Sequence, residues 1–324
     1  MTNTAQFNKE MKPMAIPASF ADVRILVVGD IMLDRYWFGE VNRISPEAPV
    51  PVVRIVKREE RLGGAANVAR NIATLGGGAG LLGVVGQDEA GDIVHALSTE
   101  LGIDSHLARD PAISTIIKLR VIGHQQQLLR IDFEEPPTDV VLRDKLSQFN
   151  TLLPKYPVVI LSDYAKGGLV NAVEMIAAAK QAGKCILVDP KGDDFSRYAG
   201  ATMLTPNKSE LRHIVGNWKS EEELTAKAQN LRTSLALEAL LLTRSEEGMT
   251  LYTADEIVHF PAIAREVYDV SGAGDTVIAT IAVMLGAGLP IAQAVDLANR
   301  AGGIVVGKLG TATVSYDELF QATK

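Results

Sequence analysis

Short apolar runs alternate with helix-period stretches along most of this chain, and that alternation constrains the fold more than any other feature. Runs at 24–28, 81–85, 158–161, 185–188, 202–204 and 239–243 have the length and texture of buried strands. Between them the pattern predicts helices over 68–75, ended by Gly76, over 169–182, ended by Gly183, and over 220–233, opened by a Ser220-x-x-Glu223 capping box. Strands that alternate with helices need crossover connections, so the expected fold is α/β: a mainly parallel central sheet flanked by helices. Such sheets carry their ligand crevice at the carboxyl ends of the strands. Several runs end there in a polar residue: Asp30, Asp163, Asp189, Asn207 and the pair Arg244-Ser245. Each alone reads equally as the start of a loop; together they predict a polar site along one rim.

Length and composition narrow the class. The 324 residues are 47% hydrophobic and 22% charged, enough apolar mass for a sizeable core and incompatible with wholesale disorder. We read one large domain over 23–324, after an N-terminal tail over 1–22 of mixed polar and isolated apolar residues. A net charge of −7 without a long basic run argues against nucleic acid as a partner. The longest apolar stretch, 277–292, is interrupted by Gly286, Gly288 and Pro290, and falls short of the roughly twenty residues that span a bilayer. No signal-peptide stretch opens the chain, and the single Cys185 reads as a buried structural thiol, so a cytoplasmic location is expected.

A second texture appears at 50–56, where apolar positions alternate around Pro51, and at 115–121 and 127–133, which flank Gly123-His124 as a hairpin. These predict a small antiparallel β lid built from segments near 35–56 and 112–133. Too thin to hold its own core, it must lie on the main domain, a second copy or a ligand. The five histidines show no i, i+3 or i, i+4 pair, so no transition-metal site is expected; His124, at the lid turn, is the one singled out.

Two glycine strings are decoys. Gly78-Ala79-Gly80-Leu81-Leu82-Gly83 fits G-x-G-x-x-G but precedes a strand instead of opening a helix, which removes the case for a nicotinamide-dependent dehydrogenase. The string from Gly302 to Lys308 fits a Walker loop but continues with Leu309, which lacks the hydroxyl that ligates Mg²⁺.

The informative glycines stand in Asp269-Val270-Ser271-Gly272-Ala273-Gly274-Asp275-Thr276, which runs directly into an apolar helix. Small residues admit a ligand close to the backbone, and first-turn amides with the helix dipole favour an anion. Asp275 in that same turn suggests a base for an attacking hydroxyl, while the Gly272, Ala273 and Gly274 turn holds the transferring phosphoryl group. Taken alone, Asp275 serves equally as an acidic residue that complements the dipole. Gly63-Gly64-Ala65-Ala66-Asn67 is a second small-residue turn opening a helix, with Asn67 able to meet sugar hydroxyls.

The pair, Gly-Gly-x-x-Asn early and Asp-x-x-Gly-Ala-Gly-Asp late, resembles both signatures of the ribokinase/phosphofructokinase-B family of sugar kinases, over about 24–313. The resemblance implies a ribokinase-like fold and ATP with Mg²⁺ as cofactors. It makes Asp275 the catalytic base, assigns the Asn207-Lys208-Ser209-Glu210 pair Asn207 and Glu210 to Mg-ATP, and places Thr243, Ser245, Gly248 and Asn299 at the nucleotide. It also implies a monovalent cation, K⁺, near Asp269, and a homodimer through the β lid. The strings at 29–37, 43–52, 162–167 and 189–192 are similar to the branch of the family that phosphorylates a heptose 7-phosphate at its anomeric hydroxyl. Relatives fused to a nucleotidyltransferase carry a His-x-Gly-His motif absent here, so the stand-alone kinase is expected.

A phosphorylated sugar as small-molecule partner agrees with the residues. Asp34 follows the first strand, where it can fix sugar hydroxyls; Lys118, Arg120 and Arg130 come from the lid hairpin, and Lys166 and Lys191 stand beside glycines at strand ends. Solvated strand and loop cations remain the alternative for all five. Other acceptors, fructose 6-phosphate, ribose or a nucleoside, stay open, as does a non-catalytic sugar or nucleotide sensor.

Overall fold

The computed structural model describes residues 15–123, 126–263 and 267–320. His124 and residues 1–14 of the expected tail lie outside them.

The apolar runs become strands whose side chains are buried on both faces, which is why they read as continuous and not alternating. The chain runs β1 (Arg24–Gly29), β2 (Ile31–Ile44), β3 (Pro51–Gly64), α1 (Ala65–Thr74), β4 (Gly78–Gly86), α2 (Glu89–Glu100), β5 (Asp104–Asp110), β6 (Ile116–Gly123) and β7 (Gln126–Phe133). It continues through α3 (Asp139–Leu152), β8 (Val158–Ser162), α4 (Ala172–Gln181), β9 (Cys185–Asp189), β10 (Met203–Leu204), α5 (Lys208–Val215), α6 (Glu221–Ser234) and β11 (Ala239–Thr243). Last come β12 (Met249–Tyr252), β13 (Ile257–Phe260), α7 (Ala273–Gly286), α8 (Ile291–Val305) and α9 (Tyr316–Phe320).

The main sheet has the order β13-β12-β11-β10-β9-β8-β1-β4-β5. From β11 to β5 every pairing is parallel, and β12 and β13 extend one edge antiparallel. In β1, Ile25 and Val27 face one helical layer, with α1, α7 and α8, while Leu26 and Val28 face the other, with α3 and α4. Helix α7 is buried from Asp275 to Met284 because it lies between the sheet, α1 and α8. Truncating Ile281 to alanine there costs about 2–5 kcal/mol. The string at Gly78 to Gly83 is strand β4, and Gly302 lies inside α8. No helix among the described residues is long and apolar enough to cross a membrane.

The smaller sheet has the order β3-β2-β6-β7. Its β2–β3 and β6–β7 pairings are antiparallel, as the hairpin pattern predicts, while β2 and β6 join it in parallel. Strand β2 begins one residue after β1, so Asp34 lies within the lid sheet and not in a loop. Register places Asp34, Lys118 and Asp132 in one row and Tyr36, Arg120 and Arg130 in the next, on one face. The opposite face carries Ile117, Leu119, Val121, Leu129, Ile131 and Phe133.

Two boundaries differ from expectation. Packed chain begins before residue 23: Phe20 is buried against Tyr316 and Phe320, and the Tyr316 hydroxyl donates to Pro17 O at 3.0 Å. Cys185 opens an inner strand and is only half-buried; burial still pushes its thiol up to about 11. At α6, Ser220 Oγ accepts from Glu223 N–H at 3.3 Å, but the Glu223 carboxylate turns to Lys219 N–H at 2.8 Å, leaving the expected box half made.

Candidate active site

Sheet crossovers bring the two small-residue turns to one place. Asp275, 4% exposed in the first turn of α7, accepts from Asn67 Nδ2 at 2.7 Å through Oδ2, and from the Tyr164 hydroxyl at 2.6 Å through Oδ1. One helical turn on, Thr276 Oγ1 donates to Asn71 Oδ1 at 2.9 Å, so α1 and α7 are joined at consecutive levels. Burial pushes the Asp275 carboxyl up to about 6, with Asp34 acting in the same direction, while Asn67, Tyr164 and Lys118 pull it down. Such a group is ionised at neutral pH and basic enough to take a hydroxyl proton as a bond forms. Burial and Asp275 hold the Tyr164 phenol well above its ordinary range, so it stays a donor.

Asn67 Oδ1 is buried without a hydrogen-bond partner. A buried acceptor left open costs about 1–3 kcal/mol, so its presence beside a base fits a ligand that brings hydroxyl donors.

Gly272 caps α7 at φ 77°, and a Cβ there would stand 3.0 Å from Asn67 Nδ2; left-handed geometry and close approach both require glycine. The Ala273 N–H folds back on Val270 O at 3.2 Å, and the Thr276 N–H starts the helical ladder on Gly272 O at 3.0 Å. The amides of Gly274 and Asp275 lie between these bonds as first-turn donors. The anion turn expected over Gly272, Ala273 and Gly274 is therefore one residue later, because the Ala273 donor is taken by the turn itself.

Two cavities meet at this helix end. One, of about 420 Å³, is lined by Thr243, Ser245, Gly248 and Asn299 with apolar walls from Met249, Ile263 and Val267. The other, of about 130 Å³, is lined by Asp163, Tyr164, Asp189, Lys191, Asn207 and Glu210. Thr243, Gly274 and Val277 line both. All four residues placed at the nucleotide by sequence thus share the larger cavity. Asn207 and Glu210 form a reciprocal capping box at α5, each bond 2.9 Å, and Lys191 Nζ reaches Glu210 Oε1 at 2.7 Å. Burial and the nearby carboxylates Asp275 and Glu210 hold Asp189 well above the usual carboxylate range.

On the acceptor side, the charged face of the lid closes over Asp275. Asp34, buried, accepts from Arg120 Nη1 at 2.6 Å; Arg120 and Arg61 lie over the Tyr36 ring at 5.1 and 4.8 Å, and Lys118 over the Tyr164 ring at 5.4 Å. A Cβ on Gly63 would stand 2.9 Å from Asp34 Oδ2, and the neighbouring Gly64 caps α1. Three expected residues are placed differently. Arg130 shares the charged face but is half exposed and held by Asp132 at 2.9 and 3.0 Å. Lys166 is paired with Glu134 at 2.6 Å and lines a separate cleft with Asp30 and Glu135. Asp269 accepts from Ser271 N–H at 2.9 Å and Gly310 N–H at 3.0 Å, tying the glycine turn to the loop after α8.

Sequence reasoning passed over Tyr164 and Arg61 as site residues. Tyr164 stands in the string at 162–167, one residue after the polar strand end Asp163, which is the signal that could have found it; nothing local marks Arg61, which arrives through the β2–β3 register.

Comparison with known proteins follows the same lines. The family model described as pfkB family carbohydrate kinase matches residues 23–318. The chain is similar to D-beta-D-heptose 7-phosphate kinase of Bordetella bronchiseptica, 57% identical over 92% of this chain and 96% of that protein. It is 55% identical to the bifunctional protein HldE of Methylococcus capsulatus over 94% of this chain, and spans 65% of that longer protein. The structure of Escherichia coli phosphofructokinase-2 in complex with potassium superposes with a TM-score of 0.77 at 18% identity, over 92% of this chain and 97% of that one. With a ribokinase-like sheet, a base in the glycine turn of α7 and a family match over nearly its whole length, the chain belongs to the pfkB family of carbohydrate kinases, ATP-dependent enzymes that phosphorylate sugars.

Proposed function

We propose that the protein transfers the γ-phosphoryl group of ATP to the anomeric hydroxyl of D-glycero-β-D-manno-heptose 7-phosphate, giving the 1,7-bisphosphate. The observation that carries the chemistry is the buried Asp275 carboxylate, held between Asn67 and Tyr164 at the mouth of the α7 turn. The 57% identical relative named as a heptose 7-phosphate kinase and the cationic lid face support the acceptor. Asp275 takes the proton as the anomeric oxygen attacks phosphorus in line, and the Gly274 and Asp275 amides receive the charge on the transferring group. Asp34 and Asn67 Oδ1 meet sugar hydroxyls; Lys118 and Arg120 meet the 7-phosphate.

Among the described residues no three His, Cys, Asp or Glu side chains are placed to cage a metal. That suits Mg²⁺, which is commonly held by one or two side chains together with substrate phosphates. Asn207 and Glu210 are the residues that would hold it, and when bound it neutralises charge across the ATP phosphates. We assign K⁺ to the Asp269 loop by analogy with the potassium-bound neighbour. The apolar lid face, with Leu129 and Phe133 about half exposed, supports a homodimer through the lid; sedimentation of the wild type against Phe133→Asp tests it. The product would feed ADP-heptose and lipopolysaccharide core synthesis in the cytoplasm.

The deciding experiment follows ADP release with Mg-ATP and heptose 7-phosphate, fructose 6-phosphate, ribose or no sugar. Release dependent on the heptose is expected. Release with another sugar alone overturns the acceptor, and silence with all of them overturns the kinase reading.

A further inference from the structure

Tyr164 reaches Asp275 on a loop that is itself tightly held. The buried Asp30 carboxylate accepts from the N–H groups of Tyr164, Lys166 and Gly168 at 2.9, 3.1 and 2.8 Å, and Lys145 Nζ donates to Gly168 O. Ala165, at φ 56°, turns the chain sharply within it. One carboxylate thus pins three successive turns of backbone, and the phenol it aims lands on Oδ1 of the base. With Asn67 on Oδ2, neither carboxylate oxygen is free to rotate, and only the lone pairs facing the cavity remain for an acceptor hydroxyl.

We propose that Tyr164 is a positioning residue for phosphoryl transfer, which orients the Asp275 carboxylate and sets the pH range over which it accepts a proton. The proposal rests on the reading of Asp275 as the base. The charged and titratable groups facing Asp275 are Asp34 from β2, Lys118 from β6, Tyr164 after β8 and Asp189 at the end of β9. Asp34 and burial oppose ionisation; Lys118, Asn67 and the phenol favour it. Removing the hydroxyl while keeping the ring leaves the stacking surface under Lys118 in place and withdraws one donor from the anion.

The test is the pH profile of kcat/KM, from ADP release with heptose 7-phosphate and Mg-ATP, for wild type, Tyr164→Phe and Asp275→Asn. In Tyr164→Phe the acid limb moves to higher pH, kcat at pH 6.5 falls about tenfold or more, less is lost at pH 8.5, and the acceptor KM changes by less than about threefold. An acid limb at the wild-type position, or a loss equal at every pH, overturns the proposal. Should the phenylalanine variant fold poorly, 3-fluorotyrosine placed at position 164 retains the side chain with a more acidic phenol. It is expected to move the limb to lower pH, and no movement overturns the proposal. Turnover retained by Asp275→Asn instead overturns the base reading itself. An inert Asp275→Asn with an unmoved Tyr164→Phe limb removes this inference alone.

Discussion

The two sides of the active site are built by opposite means. The transfer side is a contiguous stretch, Asp269 to Thr276, in which glycine turn, helix amides and carboxylate succeed one another within one turn of α7. The acceptor side is assembled from four strands: Asp34 from β2, Lys118 and Arg120 from β6, Gly63 from β3, with Arg130 at the β7 edge. A turn-plus-helix anion site needs local geometry alone, so it can be written in a short string. A charged sheet face needs a register, which is set by pairing between distant segments. Transfer chemistry can thus stay constant while acceptor choice changes with the lid.

The sharpest way to break that division is Asp275→Asn. It is expected to lower kcat by about 10²- to 10⁴-fold with ATP binding retained, measured by steady-state kinetics and nucleotide titration. The same change should stabilise the protein. The folded carboxyl titrates at about 6 against 3.8 for the free group, so as pH rises between these values the unfolded chain loses its proton first and stability falls. The shortfall at neutral pH is about 3 kcal/mol, present above pH 6 and gone below about pH 4. Thermal melts should show Asp275→Asn above wild type at pH 7.5, converging as the pH drops; a variant less stable at pH 7.5 refutes this.

On the lid, Lys118→Met and Arg120→Met should raise the acceptor KM about tenfold or more and leave the ATP KM within about twofold. Arg120→Met should also destabilise by about 3 kcal/mol, because it leaves the buried Asp34 charge alone. Arg130→Ala, by contrast, removes an exposed pair with Asp132 and should change stability by less than about 1 kcal/mol. Equal rises in ATP and sugar KM would dissolve the separation of the two sides.

The wild-type pH profile comes next in size: kcat/KM should fall tenfold per unit below about pH 6, as Asp275 becomes protonated. A profile flat to pH 5 would mean that another group is the base. The smallest effect expected is from Gly272→Ala, which must adopt φ 77° beside Asn67 and should lose about 1–2 kcal/mol in denaturant unfolding.

Much of this was legible before any coordinates. The buried strands, the helix behind Asp275 and both decoy glycine strings follow from apolar periodicity and from whether a glycine run precedes a helix or a strand. The expected helix over 68–75 begins at Ala65, because the small residues of the turn already form its first turn and Gly64 is its cap. Strand β2 escaped because it follows β1 after Asp30 alone, with no turn residues between, and its alternation is mixed with charge. Tyr164 escaped because a tyrosine after a strand end has no local mark of function; what selects it is Asp30, contributed by another strand.

By itself the sequence determined the α/β class, the polar rim and the turn that holds the base, since each depends on residues within a few positions of one another. Tertiary structure alone decided that Asn67 and Tyr164 meet Asp275, that β2 pairs in parallel with β6, and that Arg120 rather than Arg130 holds Asp34. Those outcomes depend on strand order and register, which arise when distant segments bury their apolar faces together, and no short window of residues contains that information.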